Sequence, residues 1–190
     1  CLAKQASLDA ITALDEARQR HLVWARPDGA RFVFVHDKLR SVLLGRLTER
    51  ERQQIHFHAA KYLQEEFPER DSDLAYHFDA AGKSELALPY ALRAAKQARA
   101  QHALEIAEQQ YRIAARGAGA AGKDTQFWIA EELADVLMLR GRYDEAAPLF
   151  ERAAKLATGK HAQAQVRGKL AELAFKRGDM DKATCIYEES

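Results

Sequence analysis

The stretch LADVLMLRGRYDEAAPLFE at residues 133–151 decides the fold, because it returns as LAELAFKRGDMDKATCIYE at residues 170–188. The two copies begin 37 residues apart, at Leu133 and Leu170. In each copy a Gly separates two runs with apolar residues at helical spacing, and Ala stands where two packed helices would touch. Each copy therefore predicts a helix, a tight turn at Gly and a second helix packed on the first.

Looser copies precede this pair. A helical hairpin is indicated around Gly82, and another second helix around residues 103–115. The motif resembles the tetratricopeptide repeat, whose period is near 34 residues. The resemblance implies a mostly α fold in which residues 71–190 form a right-handed α-solenoid, and we expect the array to continue beyond residue 190. The residues that carry the looser copies are Leu74, Ala75, Phe78, Ala87, Ala94, Ala107, Tyr111 and Ala114.

A shift in composition predicts a boundary before this array. Residues 1–73 contain 9 Ala, whereas the rest of the chain contains 28. Near the shift, Pro68 is placed to end one helix, and Asp71 or Ser72 to cap the next. The expected domains are residues 1–70 and residues 71–190.

The sequence of the first domain predicts one helix, a β-hairpin and two further helices. Runs rich in β-forming residues flank Pro27-Asp28-Gly29, a sequence suited to a turn. Thr48 and Glu51 form a capping box that opens the last helix. This order is typical of a winged helix, here without its first helices. The expected ranges are a helix over 7–20, strands over 22–26 and 31–35, and helices over 37–46 and 48–66.

The composition excludes several classes of function. Lys and Arg total 29 against 28 Asp and Glu, so the net charge of +1 creates no field that attracts nucleic acid or an anionic membrane. No apolar run is long enough to span a bilayer, and we expect a cytoplasmic protein. The helix before the hairpin has acidic residues on the face that would meet DNA, which disfavours nucleic acid as a partner.

The sequence predicts neither a catalytic nor a metal-binding constellation. His56 and His58 stand two apart on one helix and face different sides, and His77 is isolated in another helix. The segment GAGAAGKD at residues 117–124 nearly matches a phosphate-binding loop, but it follows a helix and ends on Asp124 instead of a hydroxyl residue. We expect a loop between helices, with Asp124 or Thr125 as helix cap. The fragment should have no enzymatic activity and bind no cofactor of its own.

Three segments carry a second resemblance. They are RFVFVHDKLR at residues 31–40, RERQQIH at residues 50–56 and LAYHFDAAG at residues 74–82. In this order they resemble the winged-helix domain and first repeats of STAND-type signalling ATPases, which include bacterial regulators such as the maltose activator. The family's Met-His-Asp motif lies at the same strand-to-helix junction, although Val35 stands here in place of Met.

The resemblance implies a role for this junction in an intact, longer protein. There His36 would contact the β-phosphate of ADP held by an adjacent ATPase domain of the same chain, and Asp37 would position the junction. Exposed amides at a helix start favour such an anion. The alternative is that Asp37 caps its helix and His36 fills space.

The leading hypothesis is a regulatory and protein-interaction segment that couples nucleotide state to partner binding by the repeats. Three carboxylates on the expected concave face indicate a protein or peptide partner of basic character; the alternative is a solvated helix face. Two other hypotheses remain, a repeat adaptor without a nucleotide link and a DNA-binding transcription regulator. The residues expected to line the concave face are Trp128, Glu131, Asp135, Met138, Glu172, Phe175 and Lys176.

Overall fold

The computed structural model describes residues 2–25 and 32–188, with side chains for residues 11–25, 32–181 and 183–186. The chain divides into two compact units, and the division lies between Arg52 and Gln53. The first unit contains a small antiparallel hairpin among helices, and the second contains only helices within the described residues.

The first unit has the element order that the sequence predicts. Its strands pair antiparallel, with Trp24 opposite Val33. The hairpin is therefore confirmed, while the predicted turn at residues 27–29 lies outside the described residues. The elements are α1 (Leu2–Gln19), β1 (Val23–Ala25), β2 (Phe32–Phe34) and α2 (Asp37–Gly45), followed by α3 (Glu49–Glu66), which begins in this unit and ends in the next.

The capping box at the start of α3 is also confirmed. The backbone amide of Thr48 donates to Glu51 Oε2 at 2.7 Å, and the amide of Glu51 donates to Thr48 Oγ1 at 3.3 Å. These bonds lower the pKa of the Glu51 carboxyl, because the charged form accepts them better. Two amides that a helix start leaves without partners are thereby satisfied.

The second unit is a series of helices in which each packs on the next. Consecutive helices after α3 contact each other and are joined by short connections, and a 3₁₀ turn lies between α6 and α7 at Ala118–Ala120. The helices are α4 (Asp71–Ala80), α5 (Ser84–Ala100), α6 (Leu104–Gly117), α7 (Lys123–Leu139), α8 (Tyr143–Leu156), α9 (Lys160–Lys176) and α10 (Met180–Glu188).

The 37-residue repeat is visible in these helices. Both α7 and α9 have 17 residues. Each is followed by a Gly with positive φ, +74° at Gly141 and +84° at Gly178, a conformation that favours Gly over other residues. The predicted hairpins α7–α8 and α9–α10 are therefore confirmed.

The upstream copy has a different register from the one predicted. The expected hairpin at Gly82 exists and joins α4 to α5. However, α5 and α6 have 17 and 14 residues, the same lengths as α7 and α8. Their turn has φ +58° at His102, the position that Gly141 occupies later. The first well-formed repeat is therefore α5–α6. The sequence did not reveal this hairpin, because His102 stands at the turn position where the later repeats have Gly.

The division between the units lies earlier than the predicted boundary at residue 70. The second half of α3 packs on α4, where the rings of Phe57 and Phe78 lie 6.4 Å apart edge to face. Ala60 is fully buried in the same apolar cluster as Phe78. Because these contacts join α3 to the repeats, the chain that precedes Pro68 belongs with the array from Gln53 onward.

Alanine lets the helices of the second unit approach closely, and larger residues fill the centre. Fully buried Ala residues recur along α5, as at Ala87, Ala91 and Ala95. The tightest approach is between α6 and α5, where a Cβ built on Gly117 would lie 2.1 Å from the carbonyl oxygen of Ser84. Gly is therefore required at this crossing, which lies at the beginning of the segment that resembled a phosphate loop.

The rest of that segment joins α6 to α7 by the 3₁₀ turn. The N-cap of α7 is Gly122, which makes no side-chain capping bond, so the predicted caps Asp124 and Thr125 lie inside the helix. Asp124 Oδ1 instead accepts a hydrogen bond from the hydroxyl of Thr158 at 3.1 Å. The carboxylate is thus used to join α7 to the end of the next hairpin.

Candidate partner-binding site

The first helices of the three repeats, α5, α7 and α9, contact one another through polar side chains; we call them the first-helix layer. Arg99 on α5 pairs with Glu132 on α7, and Lys169 on α9 pairs with Asp135 on α7. Most of the residues predicted for partner binding lie in this layer. Their surroundings show which of them a partner can reach.

Two of the three predicted carboxylates are buried beside polar or charged groups of the protein itself. Glu131 is 5% exposed and accepts a hydrogen bond from Gln165 Nε2 at 2.5 Å. Burial raises the pKa of the Glu131 carboxyl, and the nearby charge of Asp135 raises it further. Asp135 is 8% exposed and lies 3.0 Å from Lys169 Nζ and 3.5 Å from Arg99 Nη2. Neither carboxylate supports the expectation of a basic partner, because Glu131 is buried and bonded to Gln165, and Asp135 is paired with Lys169 and Arg99.

Met138 also differs from the prediction, since it is 5% exposed and belongs to the apolar core around Tyr111 and Phe150. The remaining predicted residues of α9 are accessible. Phe175 is 57% exposed, and Lys176 lies 3.4 Å from Glu172 in an ion pair within the helix. The residues predicted to bind a partner therefore lie in three environments: Met138 is in the apolar core, Asp135 is in internal ion pairs, and Phe175 is at the surface.

Trp128 has a different environment, at a cleft of about 370 Å³ between α5 and α7. The ammonium of Lys96 lies 4.6 Å from the centre of the Trp128 ring, within the range of a cation–π contact. The edge of the ring meets Tyr111, with centroids 5.8 Å apart. The cleft is lined by Lys96, Arg99, Ala100, Tyr111, Trp128 and Glu132.

Hydrogen bonds join the residues at the floor of this cleft. The Tyr111 hydroxyl donates to Glu132 Oε2 at 2.9 Å, and Arg99 pairs with the same oxygen. Burial raises the pKa of Tyr111 well above its usual range, and the charge of Glu132 adds to the effect. Tyr111 is fully buried, so its ring supports Trp128 while its hydroxyl holds Glu132. A partner would meet the Trp128 ring and the Lys96 ammonium at the surface of this cleft.

Lys96 was missed by the sequence analysis, although a signal for it exists. It lies six residues before the turn residue His102, as Asp135 and Glu172 lie six residues before their turn glycines. The three residues therefore occupy one repeat position, which is basic in α5 and acidic in α7 and α9. Alignment on His102 would have placed Lys96 beside the predicted set.

The second helices form another charged network, which has a structural role. Glu108 on α6 is 5% exposed and accepts from Arg112 at 2.8 Å and from Arg142 at 2.5 Å, and it also pairs with Arg140. Burial opposes ionisation of Glu108, yet these hydrogen bonds outweigh it and lower its pKa. The network joins α6 to the turn of the next repeat.

The candidate nucleotide-sensing residues lie in the first unit. His36 is exposed, with extended backbone (φ −136°, ψ 132°), and is the N-cap residue of α2 without a side-chain capping bond. Its carbonyl accepts from the amide of Leu39 at 3.0 Å. Asp37 is the exposed first residue of the helix, so the capping position that the alternative gave to Asp37 belongs to His36.

The described residues offer neither a metal-binding cluster nor a membrane-spanning helix. Within residues 2–25 and 32–188, no group of three or more His, Cys, Asp or Glu side chains is arranged to hold a metal ion. None of the helices described there is both long and apolar enough to cross a membrane.

Comparisons with known proteins agree with the repeat geometry. Residues 125–190 match the tetratricopeptide repeat family. This part of the second unit therefore consists of tetratricopeptide-like helical repeats. No curated protein sequence matches the chain.

Two solved structures are similar to this chain at low sequence identity. BtubC (BKLC) from P. vanneervenii is 20% identical over 75% of this chain, with a TM-score of 0.43. This chain covers 56% of that structure's length. A putative kinesin light chain from Podospora anserina, with nearly identical TPR-like repeats, is 18% identical over 82% of this chain and 94% of its own, with a TM-score of 0.48.

Proposed function

We propose that this chain is a non-catalytic interaction segment, and that its first-helix layer binds a protein or peptide partner. Tetratricopeptide repeats generally mediate protein–protein interaction, and their stacked helices offer extended binding surfaces. The observation that carries the proposal is the cleft at Trp128. An aromatic ring fixed on a buried Tyr111 and edged by the exposed Lys96 is a typical binding feature.

The cleft also indicates the chemistry of the partner. Glu131 and Asp135 are engaged by Gln165, Lys169 and Arg99, so they offer little to a basic segment. The ammonium of Lys96 faces the cleft and can receive a carboxylate, while Trp128 can receive an apolar side chain. The partner we propose is a peptide segment with an acidic residue next to an apolar one.

Selection from a peptide library displayed on phage tests this proposal. Wild-type chain should enrich peptides with an acidic residue beside an apolar residue. A Lys96→Glu variant should lose these peptides, whereas Lys155→Glu, an exposed lysine on α8 outside the cleft, should retain them. Enrichment of basic peptides by the wild type, or equal binding by Lys96→Glu, would refute this partner chemistry.

A second proposal concerns the intact protein, of which these residues are the segment beside a STAND-type ATPase domain. It rests on the resemblance at residues 31–40, and the exposure of His36 at the start of α2 supports it. In that protein, His36 would sense the β-phosphate of bound ADP, and the repeats would relay partner binding in the cytoplasm.

Nucleotide analysis of the intact protein separates this proposal from the adaptor. Purified wild type and a His36→Ala variant are denatured, and released ADP and ATP are measured. His58→Ala, an exposed histidine of α3, is the matched control. Loss of ADP in His36→Ala alone supports the nucleotide link. Equal nucleotide content in all three proteins contradicts a sensing role for His36, and no nucleotide in any of them favours the adaptor.

A further inference from the structure

Two histidines that are far apart in the sequence meet between α3 and α4. His56 Nδ1 and His77 Nδ1 lie 3.0 Å apart, and the ring centroids are 5.1 Å apart. Tyr76 meets both rings nearly edge to face, at 5.5 and 5.2 Å. Both histidines are half-buried. At this distance the Nδ1–H of one neutral ring donates to the Nδ1 lone pair of the other.

The carboxylates near the two histidines are already paired with arginines, so they stabilise positive charge on the rings only weakly. Arg70 and Asp73 flank His77 on its own side and pair with each other at 2.6 Å. The other carboxylates of α4 are used elsewhere, Asp71 by Arg93 of α5 and Asp79 by Arg116 of α6. Among the described residues, His56 is the titratable group that α3 directs at His77.

Protons act on this contact in two steps. One added proton leaves a donor on one ring and an acceptor on the other, so the N–H···N bond can remain. A second proton removes the last lone pair and puts two positive charges 3.0 Å apart in a half-buried site. The rings must then separate.

We propose that His56 and His77 form a proton-operated latch that holds α3 on α4 at neutral pH and releases it when both rings are protonated. The latch lies beside Phe57 and Ala60, the residues through which α3 joins the apolar cluster that contains Phe78. Opening therefore acts on the segment Gln53–Glu66. The apolar cluster around Tyr111 and Phe150, which joins α5 to α9, contains no residue of α3, so we expect it to persist when α3 is released.

The sign of the pH dependence follows from the environment of His77. Burial lowers its pKa from 6.5, and the charge of His56 lowers it further, against the opposing effect of Asp73. The unfolded chain therefore binds the proton more readily than the folded one. The contribution of His77 to the free energy of unfolding is therefore fully present above pH 6.5. It is lost as the pH falls through the lower pKa that His77 has in the folded state.

Denaturation by urea at pH 8 to 5 tests the latch in wild type, His77→Gln and His56→Gln. Gln keeps a hydrogen-bonding side chain but does not titrate. His58→Gln on the exposed side of α3 is the control. Below pH 6.5 the unfolding constant of wild type should rise by up to about tenfold per pH unit relative to the His77 and His56 variants. His58→Gln should follow wild type, and parallel pH profiles for all four proteins would overturn the proposal.

Nuclear magnetic resonance of the wild-type imidazole nitrogens gives a test that needs no variant. The latch requires His56 and His77 to titrate as a coupled pair in two separate steps, with faster amide exchange over residues 53–66 after the second. Two independent titrations at ordinary pKa values, without a change in α3, would also overturn the proposal.

Discussion

Gly117→Ala is predicted to destabilise the repeat array, although Ala is the better helix former. Gly117 ends α6 where this helix crosses the beginning of α5. An added Cβ would lie 2.1 Å from the Ser84 carbonyl oxygen, 2.8 Å from its carbon and 3.3 Å from Leu88 Cβ. Two of these atoms are backbone, so a side-chain rotation cannot relieve the clash.

The magnitude follows from two opposing effects. Ordinary contact needs more than 3.4 Å, so α6 and α5 must separate by over 1 Å at this point. Overpacking of a close-packed site costs about 1–3 kcal/mol, and a backbone clash belongs at the upper end. Replacing Gly by Ala in a helix returns up to about 1 kcal/mol. We expect a net loss of about 1–2 kcal/mol in the free energy of unfolding.

Urea denaturation followed by circular dichroism at 222 nm measures this loss. Gly168→Ala is the matched control, because Gly168 lies inside α9 and its added Cβ would meet nothing within 4 Å. The control should gain up to about 1 kcal/mol from helix propensity alone. If Gly117→Ala were as stable as wild type, or gained as much as Gly168→Ala, the close crossing of α5 and α6 would be refuted.

Three further variants test the core and the charged networks, each by urea denaturation against wild type. Phe150→Ala should cost about 3–5 kcal/mol, because its fully buried ring packs in the apolar core that also contains Tyr111 and Met138; a loss below 1 kcal/mol would contradict that packing. Tyr111→Phe should cost about 1 kcal/mol, because Glu132 loses a hydrogen-bond donor; unchanged stability would show that the bond contributes nothing. Glu108→Gln should cost about 1–2 kcal/mol, since its arginine partners stay partly hydrated. The lowered pKa of Glu108 makes its contribution complete above pH 4.5 and lost as pH falls through the folded value, so the difference between Glu108→Gln and wild type should shrink in acid. A difference that stays constant down to pH 2 would refute this.

The sequence predicts the repeats where local chemistry marks them. Gly141 and Gly178 have positive φ, a conformation that favours Gly, and these two glycines made the turns recognisable in the sequence. His102 adopts the same backbone conformation with φ +58°, which residues other than Gly rarely do, so the sequence predicted a second helix at residues 103–115 without identifying α5 as the first helix of that repeat. The hairpin and the capping box were predictable for the same reason, since both depend on neighbours in the sequence.

Contacts between distant residues explain most of what the sequence did not reveal. Glu131 and Asp135 were placed on the expected helix, but their partners come from a helix about one repeat away: Gln165 donates a hydrogen bond to Glu131, and Lys169 forms an ion pair with Asp135. His77 was interpreted as isolated because His56, its neighbour in space, lies 21 residues earlier. One-dimensional patterns predict which face a residue occupies and do not predict what covers that face.

Hydrogen exchange of the chain with and without a selected acidic peptide tests the central claim most directly, because it locates the bound peptide. Amides of α5 and α7 around Lys96 and Trp128 should gain protection, while those of α8 should not change. The Lys96→Glu variant should show no gain at the same peptide concentration. Protection on α8 or in the first unit, without protection at α5 and α7, would contradict partner binding at the first-helix layer.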